Sequence, residues 1–451
     1  MSIIHFFTNE TIMHDFPITS CVSPVMLEKI QFWQSMIKGN AYWNKKAKSC
    51  GILNQIASKL STLVEREIAL QIDNDAIREP MENLNAHVGL IVEYIALLGS
   101  CVMRPVFSNG KIQFELLPLG NYLPMSYDFD GTLQKAMFIK ELQDDFVLVE
   151  ENNYQNGSQF VESVLYKNDN GKLKRVSLQA CEQTRLMQPL YEWRNCKFPL
   201  FVEFRNISHN NIDGSLVPVP IISGVENLIR EADEQFERML WEQKAGEARV
   251  FADSDLFRKH QVPYDANAAF PQSQQLTQDL SRLLVMVDGD GTADGKNRIV
   301  EHAPQLRTAS QNEMLQQIFR RIELACGIGK GTISDAESVQ QTATQYSGGR
   351  QELFAIIDKF ENEIEKKYKQ SARVFAHYAN AYGLGSIDAN VFIKWNDAQT
   401  RKDIEKAKQI AMQELNNGVL NEWEYRRDFF GESEEVAKMN APEKEASGGL
   451  F

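Results

Sequence analysis

The stretch that decides the fold is Thr308–Cys326, TASQNEMLQQIFRRIELAC, followed at once by GIGKGT at residues 327–332. Apolar side chains recur on one face of the first segment at helical spacing, namely Leu315, Ile318, Phe319, Ile322 and Ala325. The glycines of the second segment cannot continue a helix, because glycine loses too much backbone freedom there. The sequence therefore predicts a helix that ends in a glycine-rich loop.

A long helix is predicted after this loop, over about residues 336–382. At a rise of 1.5 Å per residue it would be about 70 Å long. Gly348 and Gly349 lie inside it and mark the expected kink. Residues 308–382 are thus predicted to form a helix–loop–helix.

The loop at residues 327–332 superficially looks like a phosphate-binding loop. That motif needs Gly-Lys followed directly by Ser or Thr, after a strand and at the start of a helix. Here Gly331 separates Lys330 from Thr332, and a helix precedes the loop. A flexible connection between two helices is the better interpretation.

Other candidate chemical sites also fail on spacing. The aspartates of 288–295 would need a glutamate at position 299 to form a calcium loop, and Ile299 stands there, so an exposed turn is favoured. No pair of the seven histidines has zinc-ligand spacing, and no hydrolase or zinc-protease motif occurs. The sequence therefore predicts no enzyme, no cofactor and no metal.

Composition and charge exclude several classes of protein. With 43% hydrophobic and 24% charged residues, the chain can bury two or three cores. A net charge of −13 argues against a free-standing nucleic-acid binder, whose affinity needs a basic surplus. Apolar runs fall short of the roughly 20 residues of a membrane span, so no membrane is expected as a partner. The six cysteines lack C-x-x-C spacing and are predicted to be reduced.

The amino-terminal half is predicted to be an α+β domain of antiparallel strands. Residues 1–50 have no regular pattern, residues 52–72 pass from helical spacing to a strand, and residues 86–98 form a helix that closes at Gly99. Six short β-type runs follow, at 102–107, 112–117, 137–142, 146–149, 161–166 and 175–178. The turns between several of them contain Asn-Gly or Asp-Gly, which are hairpin signals.

A helix of about seven turns is predicted from residue 218 to residue 247, since apolar residues recur there with a 3.6-residue period. Its other face is acidic. That face is either the solvated side of an amphipathic helix or a channel wall that repels DNA, and the segment alone does not decide between them. Residues 248–305 form a small module with β-type runs at 249–251 and 283–287, and residues 391–395 form one more strand.

Local sequences in this order resemble the portal proteins of tailed bacteriophages that infect Gram-positive bacteria. The likeness covers about residues 85–431 and is carried by FRN at 204–206 with DGSL at 213–216, EAD at 231–233, QTATQ at 341–345, IKWND at 393–397 and the segment 417–431. The sequence departs from the family at Gln345 and Asn396, where the family has acids. Its short carboxyl-terminal part implies a small crown.

The resemblance implies a particular α+β architecture, the portal fold, with an α+β wing, a helical stem, a small α/β clip, a long kinked helix and a helical crown. The implied parts are a wing at 1–217 with a returning strand at 383–396, stem helices at 218–247 and 306–326, a clip at 248–305, a tunnel loop at 327–338, a long wing helix at 339–382, and a crown and tail at 397–451.

The resemblance also implies partners and a location. Portal subunits form a dodecameric ring at one vertex of the virion, after assembly in the host cytoplasm. Double-stranded DNA passes through the ring during packaging and ejection. The terminase large subunit, the major capsid and scaffolding proteins and a head–tail adaptor bind to it.

Three groups of residues are the expected functional positions. We expect Ile328, Lys330, Thr332 and Ser334 at the tip of the tunnel loop, and Glu231, Glu234 and Glu237 on the channel side of the stem. The residues expected to contact the terminase and the adaptor from the clip are Asp253, Asp255, Arg258, Asp288 and Asp290. Two other functions stay open: a helical scaffold or adaptor protein of a virion, which would be a monomer, and a metal-dependent nuclease.

Overall fold

A computed structural model gives the fold. It describes residues 9–16, 21–65, 68–169, 171–253, 284–287, 299–335, 343–385, 391–395, 412–413, 415, 421–430 and 438. Within them the chain is α+β, as the sequence predicts. The helices are α1 Glu10–Asp15, α2 Pro24–Ile37, α3 Ile52–Glu65, α4 Asp75–Ala86, α5 Val88–Leu98, α6 Glu226–Ala245, α7 Thr308–Cys326, α8 Ala343–Ala381 and α9 Glu422–Phe430.

The strands form four sheets in the described parts of the chain. Their bounds are β1 Ile68–Ile72, β2 Ser100–Ser108, β3 Lys111–Pro118, β4 Tyr122–Tyr127, β5 Leu133–Glu141, β6 Phe146–Gln155, β7 Ser158–Asp169, β8 Lys172–Val176, β9 Leu190–Trp193, β10 Val202–Arg205, β11 Arg249–Asp253, β12 Leu284–Val287, β13 Ile299–His302 and β14 Val391–Trp395. The largest sheet has the order β4-β5-β6-β7-β8, with β9 also paired to β7. A second sheet has the order β10-β2-β3.

The predicted hairpins are confirmed. Asn109 and Gly110 both have positive φ between β2 and β3, and Asn156 and Gly157 do so between β6 and β7. Two successive positive-φ residues make the turn whose twist matches that of the flanking strands. The helix α4 and the strands β4, β9 and β10 are additional to the elements that the sequence predicts.

The amino-terminal segment is more regular than its pattern indicates. Residue Ser23 caps α2 by accepting a hydrogen bond from the Met26 N–H at 3.2 Å, and Pro24 stands at the first helical position. Ile30 and Trp33 of α2 are buried in the main core. A short 3-10 turn at Tyr42–Lys45 follows.

The helix α5 ends at Gly99, as predicted. Gly99 has φ +92°, the left-handed conformation that closes a helix. The residues after Val217 cross directly over this end, and the Ile221 N–H donates to the Ala96 carbonyl at 3.0 Å. A Cβ atom on Gly99 would lie 2.8 Å from the carbonyl oxygen of Pro218. The bare backbone of Gly99 therefore permits this crossing.

The first long helix of the central region begins later than predicted. The sequence places its start at residue 218, but α6 begins at Glu226. Pro218 and Pro220 lack backbone N–H groups, and Gly224 has φ +92°, so the chain forms turns up to Val225. The helix α6 therefore has 20 residues, fewer than seven turns. In contrast, α7 starts and ends where the sequence places it, and Gly327, with φ +69°, closes it.

Helices α6 and α7 pack against one another in antiparallel directions. Gln235 of α6 donates to the carbonyl oxygen of Gln311 in α7 at 3.3 Å. Further along α6, Glu242 accepts from the Arg307 Nε at 3.1 Å, just before α7 starts. Leu315, Ile318 and Ile322 of α7 are buried. The predicted apolar face is thus confirmed for these residues and for Phe319, whereas Ala325, which the sequence also assigns to it, is exposed.

A small sheet connects the far ends of α6 and α7. In it β11 pairs with β12 in parallel and with β13 in antiparallel. The two strands predicted for this module are confirmed, and β13 is a third. The residues between β11 and β12 lie outside the described part of the chain.

The long helix α8 carries the chain back to the amino-terminal domain. It spans 39 residues, which is about 58 Å at 1.5 Å per residue, and packs against α4 and β10. Gly348 and Gly349 both lie within it, and their kink stays a prediction. Its predicted first turns, at 336–342, lie outside the described residues. Strand β14 then pairs with β1, which confirms the predicted strand at 391–395.

Replacing Gly99 with alanine tests the crossing over α5. We expect Gly99→Ala to lower the free energy of unfolding by about 2 kcal/mol or more, through backbone strain plus overlap with Pro218. Gly110→Ala is the matched control, since Gly110 has φ +77° and nothing within 4 Å of an added Cβ. It should cost about 1 kcal/mol by strain alone. Urea denaturation measures both, and equal losses would contradict a close crossing.

Candidate channel-lining and docking elements

The glycine-rich loop after α7 is organised around one buried carboxylate, Glu323. Its Oε1 accepts hydrogen bonds from the N–H groups of Ile333 at 2.6 Å and Ser334 at 2.8 Å. Its Oε2 accepts from the Gly331 N–H at 3.1 Å and the Ser334 hydroxyl at 2.8 Å. Glu323 is fully buried, and an ionised carboxylate removed from water is costly unless donors surround it. Four donors from the loop meet that requirement.

Further contacts hold the loop against the end of α7. The Thr332 hydroxyl donates to the carbonyl oxygen of Ile328 at 2.6 Å, and the Asp335 N–H donates to the Gln316 Oε1 at 2.7 Å. The Ile328 side chain is fully buried in the main core. The described part of the loop is therefore folded onto the helix.

This geometry corrects the expectation of a protruding loop tip. Of the four residues predicted there, Ile328 and Ser334 are buried, Thr332 is half-buried and only Lys330 is exposed. Ile328 is apolar and packs with the core, and Ser334 turns its hydroxyl inward to Glu323. The end of the predicted loop, at 336–338, lies outside the described residues.

Glu323 is not among the residues predicted from the sequence, although one signal in the sequence indicates it. Glu323 lies in the last turn of α7, where the helix dipole disfavours a negative charge. A run of glycine, serine and threonine with many free N–H groups follows directly. An acid in an unfavourable helical position next to such donors indicates an internal carboxylate site.

Replacing Glu323 tests whether this carboxylate orders the loop. Glu323→Gln turns an amide N–H₂ group toward N–H donors, so we expect amide hydrogen exchange at residues 327–335 to accelerate by at least about tenfold. Glu313→Gln changes an exposed glutamate of the same helix and should leave that exchange unchanged. Hydrogen–deuterium exchange with mass spectrometry measures both variants, and unaltered protection in Glu323→Gln would count against the carboxylate.

Two acids of α6 are buried and bind the amino-terminal segment. The Asp233 carboxylate accepts from the Trp43 indole N–H at 2.8 Å, from the Asn44 amide at 3.2 Å and from the Cys50 N–H at 2.8 Å. Asp233 is only 2% exposed. In the sequence alone, Asp233 is one more acid of the acidic face of this helix.

Glu226, at the first position of α6, makes an equivalent contact. It accepts from the Trp33 indole N–H at 3.0 Å, from the Lys29 ammonium at 3.1 Å and from the Gly224 N–H at 2.9 Å. Burial opposes ionisation, but the donated hydrogen bonds outweigh it and hold the pKa of Glu226 below its usual value. Two indoles of the amino-terminal segment thus dock onto two acids of α6.

The three acids predicted to face a channel are each half-buried. Glu231 accepts a hydrogen bond from Arg230 at 3.3 Å. Glu234 lies 3.8 Å from Arg230 and 3.6 Å from Arg238, one helical turn away on either side. Glu237 accepts weakly from the Lys48 N–H at 3.4 Å. The acidic face therefore divides into buried docking acids and half-exposed acids, two of which lie beside arginines of their own helix.

Of the five clip residues predicted to bind partners, only Asp253 lies within the described part of the chain. Asp253 is the last residue of β11. Asp255, Arg258, Asp288 and Asp290 lie outside the described residues, so the docking prediction stays a prediction.

The described residues offer no candidate metal site. No group of three His, Cys, Asp or Glu side chains there is placed to hold a metal ion. All six cysteines are free, and burial raises the pKa of Cys326 to about 12, which makes it unreactive. None of the helices in the described ranges is long and apolar enough to cross a bilayer.

No protein-family model matches the chain, and no curated protein matches it. The likeness to portal proteins therefore rests on the segments quoted from the sequence and their order.

The Glu226 contact predicts an acid-sensitive stability. The pKa of Glu226 in the folded state lies below the ordinary value of 4.5, so the unfolded state takes up its proton first as pH falls. The stability that the ionised Glu226 contributes is therefore lost as pH falls through its folded pKa. Glu226→Gln removes this dependence, so its melting temperature should fall less between about pH 5 and pH 3 than that of the wild type. Glu82→Gln, in an exposed position of α4, is the control and should follow the wild type. An equal fall in melting temperature between pH 5 and pH 3 in all three proteins would refute the prediction.

Proposed function

We propose that this chain is the subunit of a ring-shaped portal, a channel through which double-stranded DNA enters and leaves a bacteriophage capsid. The observation that carries the proposal is the path of the chain through α6, α7 and α8. Two antiparallel helices leave the amino-terminal domain, carry a small three-stranded sheet at their far end, and return through a glycine-rich loop. A 39-residue helix then packs back onto the amino-terminal domain. Under this proposal, these parts would be the stem, clip, tunnel loop and wing helix.

The distribution of charge supports a channel that does not hold DNA. A ring repeats each residue around its bore, so a few exposed acids on α6 become circles of negative charge that keep phosphates at a distance. The loop adds a second feature. Free backbone N–H groups in a glycine-rich turn bind phosphate well, but those of Gly331, Ile333 and Ser334 are already bonded to Glu323. DNA passing such a loop would not find these three N–H groups free to hold a phosphate.

In this proposal the partners divide among the parts. The clip sheet is where a terminase large subunit and a head–tail adaptor would dock in turn, and the wing is where capsid and scaffolding proteins would bind. The protein itself is not an enzyme and needs no cofactor, because hydrolysis of ATP belongs to the terminase. It would be located at one vertex of the virion after assembly in the host cytoplasm.

Purification of the full chain tests the proposal. We expect closed rings in negative-stain electron microscopy and a mass about twelve times 51.5 kDa by light scattering. A monomer at all salt concentrations would refute the portal and favour a scaffold or adaptor. DNA cleavage that depends on Mg²⁺ or Mn²⁺ would favour a nuclease instead.

A further inference from the structure

The largest sheet has two edges of different chemical character. Its order is β4-β5-β6-β7-β8, so β4 and β8 are four strand spacings, or about 19 Å, apart. The β4 edge is partly covered, because the Cys21 N–H donates to the Met125 carbonyl at 3.2 Å. What this edge exposes is the turn that leads from β4 to β5.

That turn presents a fully exposed phenylalanine on a hydrogen-bonded backbone. Phe129 has a relative exposure of 107%. The Asp128 carboxylate accepts from the Phe129 N–H at 2.7 Å, and the Asp130 carboxylate accepts from the Thr132 N–H at 2.8 Å. The latter bond is the main reason why the pKa of Asp130 lies below its usual value. Phe129 thus stands between two aspartates, each of which accepts a backbone hydrogen bond within the turn.

One guanidinium joins this turn to a second exposed loop. Arg205 donates to the carbonyl oxygens of Gly131 at 2.8 Å and Leu216 at 2.5 Å. Leu216 is 51% exposed, and Asp213 lies close to it in the same loop. We call the surface formed by Asp128, Phe129, Asp130, Asp213 and Leu216 the acidic knob. Residues 126–132 and 207–216 contain no lysine or arginine, although Lys366 of α8 is near enough to lower the pKa of Asp130 further.

The opposite edge of the sheet is basic and also carries exposed apolar side chains. Residues 172–197 hold six lysines and arginines against two glutamates, in a chain whose net charge is −13. Lys172, Lys174 and Arg175 are exposed on β8, and Leu186 has a relative exposure of 96% just before β9. In β9 Leu190 and Tyr191 are exposed as well. We call this surface, formed by residues 172–191, the basic edge.

We infer that the acidic knob of one copy of this chain packs against the basic edge of a second copy. The two surfaces are complementary in charge, and each carries apolar side chains whose burial would stabilise the contact. Because the surfaces differ, the contact is head-to-tail, the kind of interface that repeats into a closed ring or an open filament. The inference rests on the proposed function, since a portal ring needs such a contact, and it names the residues that make it.

Charge exchange tests the pairing directly. The knob variant is Asp128→Lys with Asp130→Lys, and the edge variant is Lys172→Glu with Lys174→Glu. Each variant alone places like charges at every contact, so we expect each to need at least about tenfold more protein to assemble than the wild type. An equimolar mixture restores opposite charges at every contact and should assemble again as alternating copies. Light scattering and negative-stain microscopy of the separate and mixed proteins measure this.

Two further variants complete the design. Lys38→Glu with Lys59→Glu matches the charge change of the edge variant at exposed positions of the amino-terminal helical region and should assemble like the wild type. Phe129→Ala leaves both aspartates of the turn in place. It should leave the melting temperature of the monomer within about 1 °C, because the side chain has no internal contacts to lose, and should weaken assembly about tenfold.

The possible results separate this inference from the portal proposal. If the wild type forms rings and either charge variant or Phe129→Ala assembles equally well, the contact is wrong and the portal proposal stands. If the two charge variants assemble poorly and their mixture does not recover, the pairing of knob with edge is also wrong. A wild type that stays monomeric at every salt concentration overturns both.

Discussion

Asp233 and Glu226 lie on the buried side of α6, and each accepts a hydrogen bond from a tryptophan indole of the amino-terminal segment. The free-energy cost of taking a carboxylate out of water is several kcal/mol unless donors surround it. The helix can therefore occupy its place only when α2 and the 3-10 turn at Tyr42–Lys45 lie against it. The position of α6 in turn determines where α7 and the small sheet stand relative to the amino-terminal domain.

The same constraint acts again at the other end of the helical pair. Glu323 lies buried in the last turn of α7, and the chain that follows must turn back to supply donors. The glycines at 327, 329 and 331 all have positive φ, which lets three N–H groups within four residues point at one carboxylate. Hydrogen bonds within the chain thereby tie this glycine-rich segment to the helix.

Acids of α6 serve two purposes because helix geometry separates them. Glu226 and Asp233 are seven residues apart, or two turns, and so share the face that meets the amino-terminal segment. Glu231 and Glu234 lie on other faces, where solvent and arginines accompany them. Glu237 lies on the same face as Asp233 but is only half-buried. A helix with a net acidic sequence can thus be a structural anchor on one side and a source of negative potential on the other. Arg205 also has two roles. Its guanidinium lies 3.8 Å from the buried carboxylate of Glu203, and it donates to the Gly131 carbonyl in the turn that exposes Phe129.

The sequence by itself determined the elements that depend on near neighbours. The bounds of α7, the closing of α5 at Gly99 and the Asn-Gly hairpins follow from helical spacing, positive φ and turn chemistry within a few residues. It also identified the apolar face of α7 and the strand at 391–395. It did not decide the start of α6, where prolines interrupt an apolar pattern that looked helical.

Only the tertiary structure decided which charged residues are buried. Asp233 and Trp43 are 190 residues apart in the chain, and Glu226 and Trp33 are 193 apart. An acid on an amphipathic helix has the same sequence pattern whether it meets water or a distant indole, so no local period distinguishes the two. The prediction that Ile328 and Ser334 lie at an exposed loop tip was wrong for the same reason, because their burial depends on Glu323 and the core. Burial is a property of contacts between distant segments, and these form only when the chain has folded.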